Sequence, residues 1–99
     1  NVVTLDPKVE QEIMGSVKQT ENGVFLNLDP SRSRAIIDSV GKEVQKLENL
    51  GKSPIVITSP IVRMYFKRLT EDYYRELVVV SYNEVDSNVE LQSVGMVTA

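Results

Sequence analysis

Apolar residues recur at three- and four-residue steps in three stretches of the chain, which predicts three amphipathic helices. Each stretch opens with a proline that follows a short polar residue, and the pairs are Asp6-Pro7, Asp29-Pro30 and Ser59-Pro60. The polar oxygen can accept a hydrogen bond from a free N–H at a helix start, and proline suits the first helical position because it lacks an N–H. We therefore expect helices over residues 7–19, 30–50 and 60–73.

Four shorter apolar runs predict β-strands. Residues 24–28 alternate between two faces, whereas 55–58 and 77–80 are continuously apolar, as is typical of strands covered on both sides. Residues 89–97 form a last strand, in which Gly95 indicates a bulge or an edge position. Strands separated by helices favour parallel pairing, and the last strand can turn back antiparallel. The pattern predicts a small α/β fold in the order α-β-α-β-α-β-β, with a mixed, mostly parallel four-stranded sheet whose second and third strands are central.

Three glycines and two tyrosines give more local expectations. Gly41 lies inside the second predicted helix, where glycine costs about 1 kcal/mol relative to alanine, so we expect a close contact there. Gly23 is expected in a turn and Gly51 at the end of the helix, both with positive φ. In the third helix, Tyr73 falls on the predicted buried side and Tyr74 just outside it.

Composition excludes several kinds of chemistry. The chain has no cysteine and no histidine, which removes disulfides, iron–sulfur clusters, thiolate zinc sites and the commonest general base. No apolar run approaches the roughly 20 residues that span a bilayer. We expect one domain over residues 1–99, no cofactor and no metal. Because the sequence begins with asparagine, we also expect it to be part of a longer protein.

The formal charge of −3 is unevenly distributed along the chain. Residues 1–70 carry ten Lys or Arg and eight Asp or Glu, a net of +2, whereas residues 71–99 carry one Arg and six acids, a net of −5. A chain with such an acidic C-terminal stretch is not typical of a nucleic-acid-binding protein. The candidate partner-binding residues are a basic face on the third helix and the acidic residues that follow it: Arg63, Lys67, Arg68, Glu71 and Asp72. The acidic region continues to Glu90.

A nucleotide site is the alternative that the residues leave open. Residues 51–53, Gly-Lys-Ser, look like the end of a phosphate-binding loop, but that loop needs a glycine where Lys46 stands inside a predicted helix. We expect a helix C-cap and a turn there instead. In a parallel α/β sheet, a ligand site would lie at the carboxyl ends of the strands, near residues 58–59 and 81–82.

Several segments, taken in order, resemble the C-terminal cytoplasmic subdomain of flagellar type III export-gate proteins, the FHIPEP family, which also includes the export gates of injectisomes. The most specific segment is Ser-Tyr-Asn-Glu at residues 81–84, after an apolar strand. The other matching segments are residues 3–7, 23–30, 59–63, 77–80, 89–91 and 94–95.

The resemblance implies a non-catalytic docking role. Such a parent protein enters the bacterial inner membrane through a part that precedes this segment, and its cytoplasmic region assembles into a ring. The implied partners are export chaperone–substrate complexes, soluble export components, neighbouring subdomains and other ring subunits. The main chaperone-binding depression of the family lies in earlier subdomains, so no residue of it is assigned here. The alternatives are the same subdomain of an injectisome export gate, or a small nucleotide-binding α/β domain.

Overall fold

The computed structural model describes residues 2–85, 88 and 91–99. The elements in chain order are β1 (Val2–Leu5), α1 (Pro7–Gly15), β2 (Val17–Thr20), β3 (Gly23–Leu26), α2 (Pro30–Asn49), β4 (Ile55–Thr58), α3 (Pro60–Thr70), β5 (Val78–Ser81), a 3₁₀ turn (Tyr82–Glu84) and β6 (Ser93–Val97).

The three predicted helix starts are confirmed, each with proline in its first turn. The carboxylate of Asp6 accepts a hydrogen bond from the Lys8 amide at 2.9 Å, and Asp29 does the same for Ser31 at 2.9 Å. Ser59 occupies the third N-cap position but its side chain makes no capping hydrogen bond. Two of the three caps therefore work through the side chain, as the sequence predicts.

Four strands form one sheet in the order β5-β4-β1-β6, and all of its pairings are parallel. The α/β class, the three helices and the four-stranded sheet are confirmed. The predicted antiparallel last strand is wrong, because β6 runs parallel to β1 at one edge. Of the predicted central strands, β4 is central, whereas β5 forms the opposite edge.

The amino-terminal third departs most from the prediction. β1, at Val2–Leu5, was not predicted. The first helix ends at Gly15, where the Ser16 hydroxyl donates to the Glu12 carbonyl at 2.8 Å, and residues 17–20 form β2 instead of a helical turn. β2 pairs with β3 as an antiparallel hairpin, so the predicted strand over 24–28 does not join the main sheet. The predicted order α-β-α-β-α-β-β therefore lacks β1 and β2.

The core lies on one face of the sheet. The register aligns Val3, Val56 and Val79, and these side chains join the buried residues of all three helices in a single cluster. Alternate strand residues point to the other face, where Ile57 is buried but Val78 and Met96 are about half exposed. The helices thus form one layer over one side of the sheet.

The glycine expectations are confirmed. Gly23 and Gly51 have φ of 123° and 72°. A Cβ on Gly41 would meet the Tyr74 hydroxyl. Gly95 lies in an edge strand whose register with β1 shifts between Val2 and Val3, in agreement with both predicted readings.

The third helix is shorter than predicted, which changes which of the tyrosines after it is buried. It ends at Thr70, whose hydroxyl donates to the Phe66 carbonyl at 3.0 Å. The prediction for the two tyrosines is wrong: Tyr73 is 58% exposed, whereas Tyr74 packs against the core and donates to the Ile37 carbonyl at 3.1 Å. The helix ends at Thr70, so helical spacing does not predict which way residues 73 and 74 face.

Candidate interaction surfaces

The basic face of α3 is divided between an internal contact and an exposed pair. Arg63 is half-buried, and its Nε atom lies 2.6 Å from Oε1 of Glu84 in the 3₁₀ turn. Lys67 and Arg68 are exposed and form no ion pair within residues 2–85, 88 and 91–99. The charge available to a partner on this face therefore comes from Lys67 and Arg68.

The Glu84 carboxylate accepts two hydrogen bonds from Ser81, the residue before its turn. The backbone N–H and the hydroxyl of Ser81 donate to Oε1 of Glu84 at 3.0 and 2.9 Å, which closes a capping box. These bonds, from the Ser81 hydroxyl first and its N–H second, together with the nearby Arg63 charge, hold the pKa of Glu84 below its usual range. The Ser-Tyr-Asn-Glu segment thus has a structural role, which sequence reasoning did not identify.

The acidic residues Glu71 and Asp72 lie in the turn directly after α3. Both are exposed, and the Glu71 amide donates to the Lys67 carbonyl at 2.9 Å as the helix ends. Neither carboxylate pairs with a cation in the part of the chain that the structure describes. The structure therefore places an unpaired basic pair and an unpaired acidic pair next to each other along the chain. The acidic region as far as Glu90 is only partly within the described residues.

An open apolar groove lies beside Arg68. The β2–β3 hairpin, the start of α2 and the outer side of α3 enclose a cavity of about 270 Å³. Its apolar wall consists of Phe25, Leu26, Leu28 and Leu69, and its polar groups belong to Ser33, Tyr65 and Arg68. The sequence did not predict this groove, because residues 24–28 were expected in the main sheet. The Asn-Gly pair at residues 22–23, where the turn meets β3, was the available signal for a hairpin.

The alternative nucleotide site was expected at the carboxyl ends of β4 and β5. Thr58 and Ser81 are register partners there and both are buried. The Ser81 hydroxyl is within bonding distance of Asn83 and Glu84, and the Glu84 carboxylate lies beside it. The Arg63 guanidinium near this edge is already paired with the Glu84 carboxylate, so its charge is not free to bind a phosphate. The turn at 51–53 is a C-cap, as expected, since the Lys52 amide donates to the Leu47 carbonyl at 2.9 Å.

Two further findings concern the described residues as a whole. No group of three acidic side chains within them could hold a metal ion. Among them there is also no helix with the length and apolar character that crossing a membrane requires.

The fold and these surfaces define a small parallel α/β domain with exposed charged and apolar patches. The family model of the FHIPEP family matches residues 1–90, and the chain belongs to that family. It is 47% identical over 96 residues to the flagellar biosynthesis protein FlhA of Bacillus subtilis, covering 97% of this chain. It is 32% identical over 92 residues to the low calcium response locus protein D of Yersinia pestis, covering 93% of this chain.

Solved structures show the same fold. The CdsV protein of Chlamydia pneumoniae superposes with a TM-score of 0.86 at 31% identity, over 98% of this chain and 27% of that one. The chain spans 14% of the length of the Bacillus subtilis relative and 13% of the Yersinia pestis one. By this homology the chain corresponds to a subdomain of type III export-gate proteins, which confirms the resemblance seen in the sequence.

Proposed function

We propose that this chain is a non-catalytic protein-interaction subdomain of a flagellar type III protein export gate. It is the last cytoplasmic subdomain of a larger membrane protein and contributes to a docking platform for export chaperones, their substrates and soluble export components. The observation that carries the proposal is the exposed surface of α3, where the unpaired Arg68 lines an open apolar groove and the unpaired Lys67 precedes it along the helix. Apolar surface bordered by charged groups is typical of protein–protein interfaces.

Two solved assemblies support the choice of partners. A chain in a complex of CdsV with CdsO matches 99% of this chain with a TM-score of 0.72 at 31% identity. The cytosolic domain of EscV from a type III secretion system is nonameric, and it matches this chain with a TM-score of 0.72 at 29% identity. We infer that the parent protein also forms a ring and that this subdomain contacts neighbouring subdomains, ring subunits and soluble partners on the cytoplasmic face of the bacterial inner membrane.

The flagellar assignment rests on the comparison of relatives. Identity is 47% to the flagellar protein of Bacillus subtilis and 32% to the low calcium response protein of Yersinia pestis, over similar lengths. The alternative is the equivalent subdomain of an injectisome export gate. A nucleotide-binding function is disfavoured, because its expected position holds buried hydroxyls and a Glu84 carboxylate that already engages Arg63.

A chimaera tests the proposal. The matching segment of Bacillus subtilis FlhA is replaced by this chain, by the corresponding EscV segment, or deleted, and swimming and the export of flagellar proteins are measured. We expect export with this chain and none with the deletion or the EscV segment. A stable chimaera that exports nothing contradicts the flagellar function, and equal export with the EscV segment contradicts the flagellar specificity.

A further inference from the structure

The groove between the hairpin and α3 has the size of an anchor pocket for a protein side chain. Its volume of about 270 Å³ lies below the roughly 300–1,000 Å³ of typical small-molecule sites. The groove is open to solvent, and Phe25 on its wall is 47% exposed. Pockets of this kind are filled by single aromatic or aliphatic residues at the centre of protein interfaces.

The polar groups of the groove are all able to donate hydrogen bonds. Ser33 and Tyr65 each carry a hydroxyl, and Arg68 carries a guanidinium with five N–H donors. No hydrogen bond from these side-chain groups to the protein is found within residues 2–85, 88 and 91–99. Hydrogen-bond donors that line one apolar cavity suit an acceptor with several lone pairs.

The charge of the groove wall indicates which kind of hydrogen-bond acceptor the groove would bind. No carboxylate lines the groove, and the unpaired Arg68 places a cation on its wall. The acidic Glu71 and Asp72 lie beyond the end of the helix and are not part of the groove wall. A guanidinium binds a carboxylate through two parallel N–H donors, which is stronger than a neutral hydrogen bond.

We propose that this groove binds an acidic segment of a partner protein, in which an Asp or Glu carboxylate stands beside a bulky apolar side chain. The apolar side chain packs against Phe25 and Leu69, and the carboxylate accepts hydrogen bonds from Arg68 with Tyr65 or Ser33. The inference rests on the proposed function, because it names the chemistry of a partner that docks on this subdomain.

The test uses three synthetic peptides and the 99-residue chain labelled with ¹⁵N. The first peptide has one central phenylalanine flanked by glutamates, the second replaces the glutamates by glutamines, and the third replaces the phenylalanine by alanine. Amide shifts are followed by NMR during titration, with the chain unchanged and with the variants Arg68→Gln, Tyr65→Phe and Phe25→Ala. Arg75→Gln is the matched control, because Arg75 is an exposed arginine that does not line the groove.

We expect the glutamate peptide alone to bind appreciably, with shifts centred on the groove. Loss of the charge-assisted bonds in Arg68→Gln should weaken binding about tenfold. Tyr65→Phe and Phe25→Ala should weaken it by smaller factors, and Arg75→Gln should leave it unchanged. The proposal is overturned by equal binding of the glutamine peptide, by equal loss in Arg68→Gln and Arg75→Gln, by no shift at millimolar peptide, or by self-association through the groove.

This outcome is separable from that of the chimaera. If the chimaera exports flagellar proteins but the chain binds none of the peptides, the proposed function stands and the proposed groove site is rejected. If the chain binds the glutamate peptide through Arg68 but the chimaera does not export, the groove site stands and the proposed flagellar function is rejected.

Discussion

Arg63 on α3 and Glu84 in the turn after β5 form an ion pair with 2.6 Å between Nε and Oε1. The same carboxylate accepts both hydrogen bonds from Ser81. The pair therefore joins α3 to the carboxyl end of the sheet and compensates the Arg63 charge within the domain. Of the three basic residues on this helix, Lys67 and Arg68 remain for docking.

The ionisation of Glu84 should depend more on Ser81 than on Arg63. The hydroxyl bond from Ser81 is the largest cause of its lowered pKa, and the Arg63 charge acts more weakly. We expect Ser81→Ala to raise the pKa of Glu84 more than Arg63→Gln does. An NMR titration of the Glu84 carboxyl carbon in both variants measures this, and a larger rise in Arg63→Gln contradicts the account.

Replacing Gly41 with alanine should destabilise the fold. A Cβ at this position would lie against the Tyr74 hydroxyl and 3.3 Å from its Cζ, so the ring must move away from the Ile37 carbonyl that it bonds. We expect the strain and the lost bond to outweigh the roughly 1 kcal/mol gained in helix propensity, for a net loss of about 1 kcal/mol in denaturant unfolding.

Two variants control this measurement. Gly15→Ala adds the same methyl at a helical position with open space around it, and it should be neutral or stabilising. Gly41→Ala should also cost less in a Tyr74→Phe background, where the hydroxyl is absent. Equal costs in the two backgrounds would show that the contact between these residues is not the cause.

Glu43 on α2 protects the outer edge of β6. Its side chain is 8% exposed, accepts a hydrogen bond from the Met96 amide at 3.0 Å and lies 2.9 Å from the Lys46 ammonium. Glu43→Ala leaves that amide without its partner, so we expect a loss of about 1–3 kcal/mol and faster hydrogen exchange at Met96. Glu43→Gln keeps an acceptor and should lose less, and the exposed Glu48→Ala should have little effect. Unchanged exchange at Met96 in Glu43→Ala is the result that opposes this assignment.

Stability should fall in acid partly through Glu12. Arg32 donates to both of its oxygens, at 2.7 and 2.9 Å, and this holds the pKa of Glu12 below its ordinary value of 4.5. A carboxyl with a lowered folded-state pKa stabilises the fold above its unfolded pKa, and this contribution is lost as pH falls through the folded pKa.

The matching experiment compares thermal unfolding of Glu12→Gln and the parent chain between about pH 7 and pH 3. The variant should be less stable near neutral pH and should lose less stability on acidification. Glu21→Gln removes a carboxylate from the exposed hairpin turn and serves as the control. If the parent and Glu12→Gln lose stability in parallel, the Arg32 contact does not contribute to the pH dependence.

The helix starts and β4 could be predicted because each has a local physical signal. Asp6-Pro7 and Asp29-Pro30 carry their own caps, and residues 55–58 are apolar on both faces. β1 and the hairpin could not be predicted in the same way, because β1 depends on pairing with Val56 and Ile57 more than fifty residues away. Val17 lies within the helix that was predicted over residues 7–19, but it fits the helical period by coincidence, since it pairs with Leu26 in the hairpin.

The interaction surface was predicted only in part for the same reason. The basic residues of α3 follow from sequence spacing, but the internal partner of Arg63 lies in another element and depends on the tertiary fold. The groove needs the hairpin to lie against α3, and no local pattern specifies that arrangement.

The central claim is that this chain contributes a binding surface to an export-gate platform. The most direct measurement is a quantitative pull-down of flagellar export chaperones and soluble export components by the complete cytoplasmic region of the parent protein, with and without residues 1–99. The account predicts that removal of these residues weakens capture of at least one partner while the remaining region stays folded. Identical capture of every partner by the two versions would contradict it.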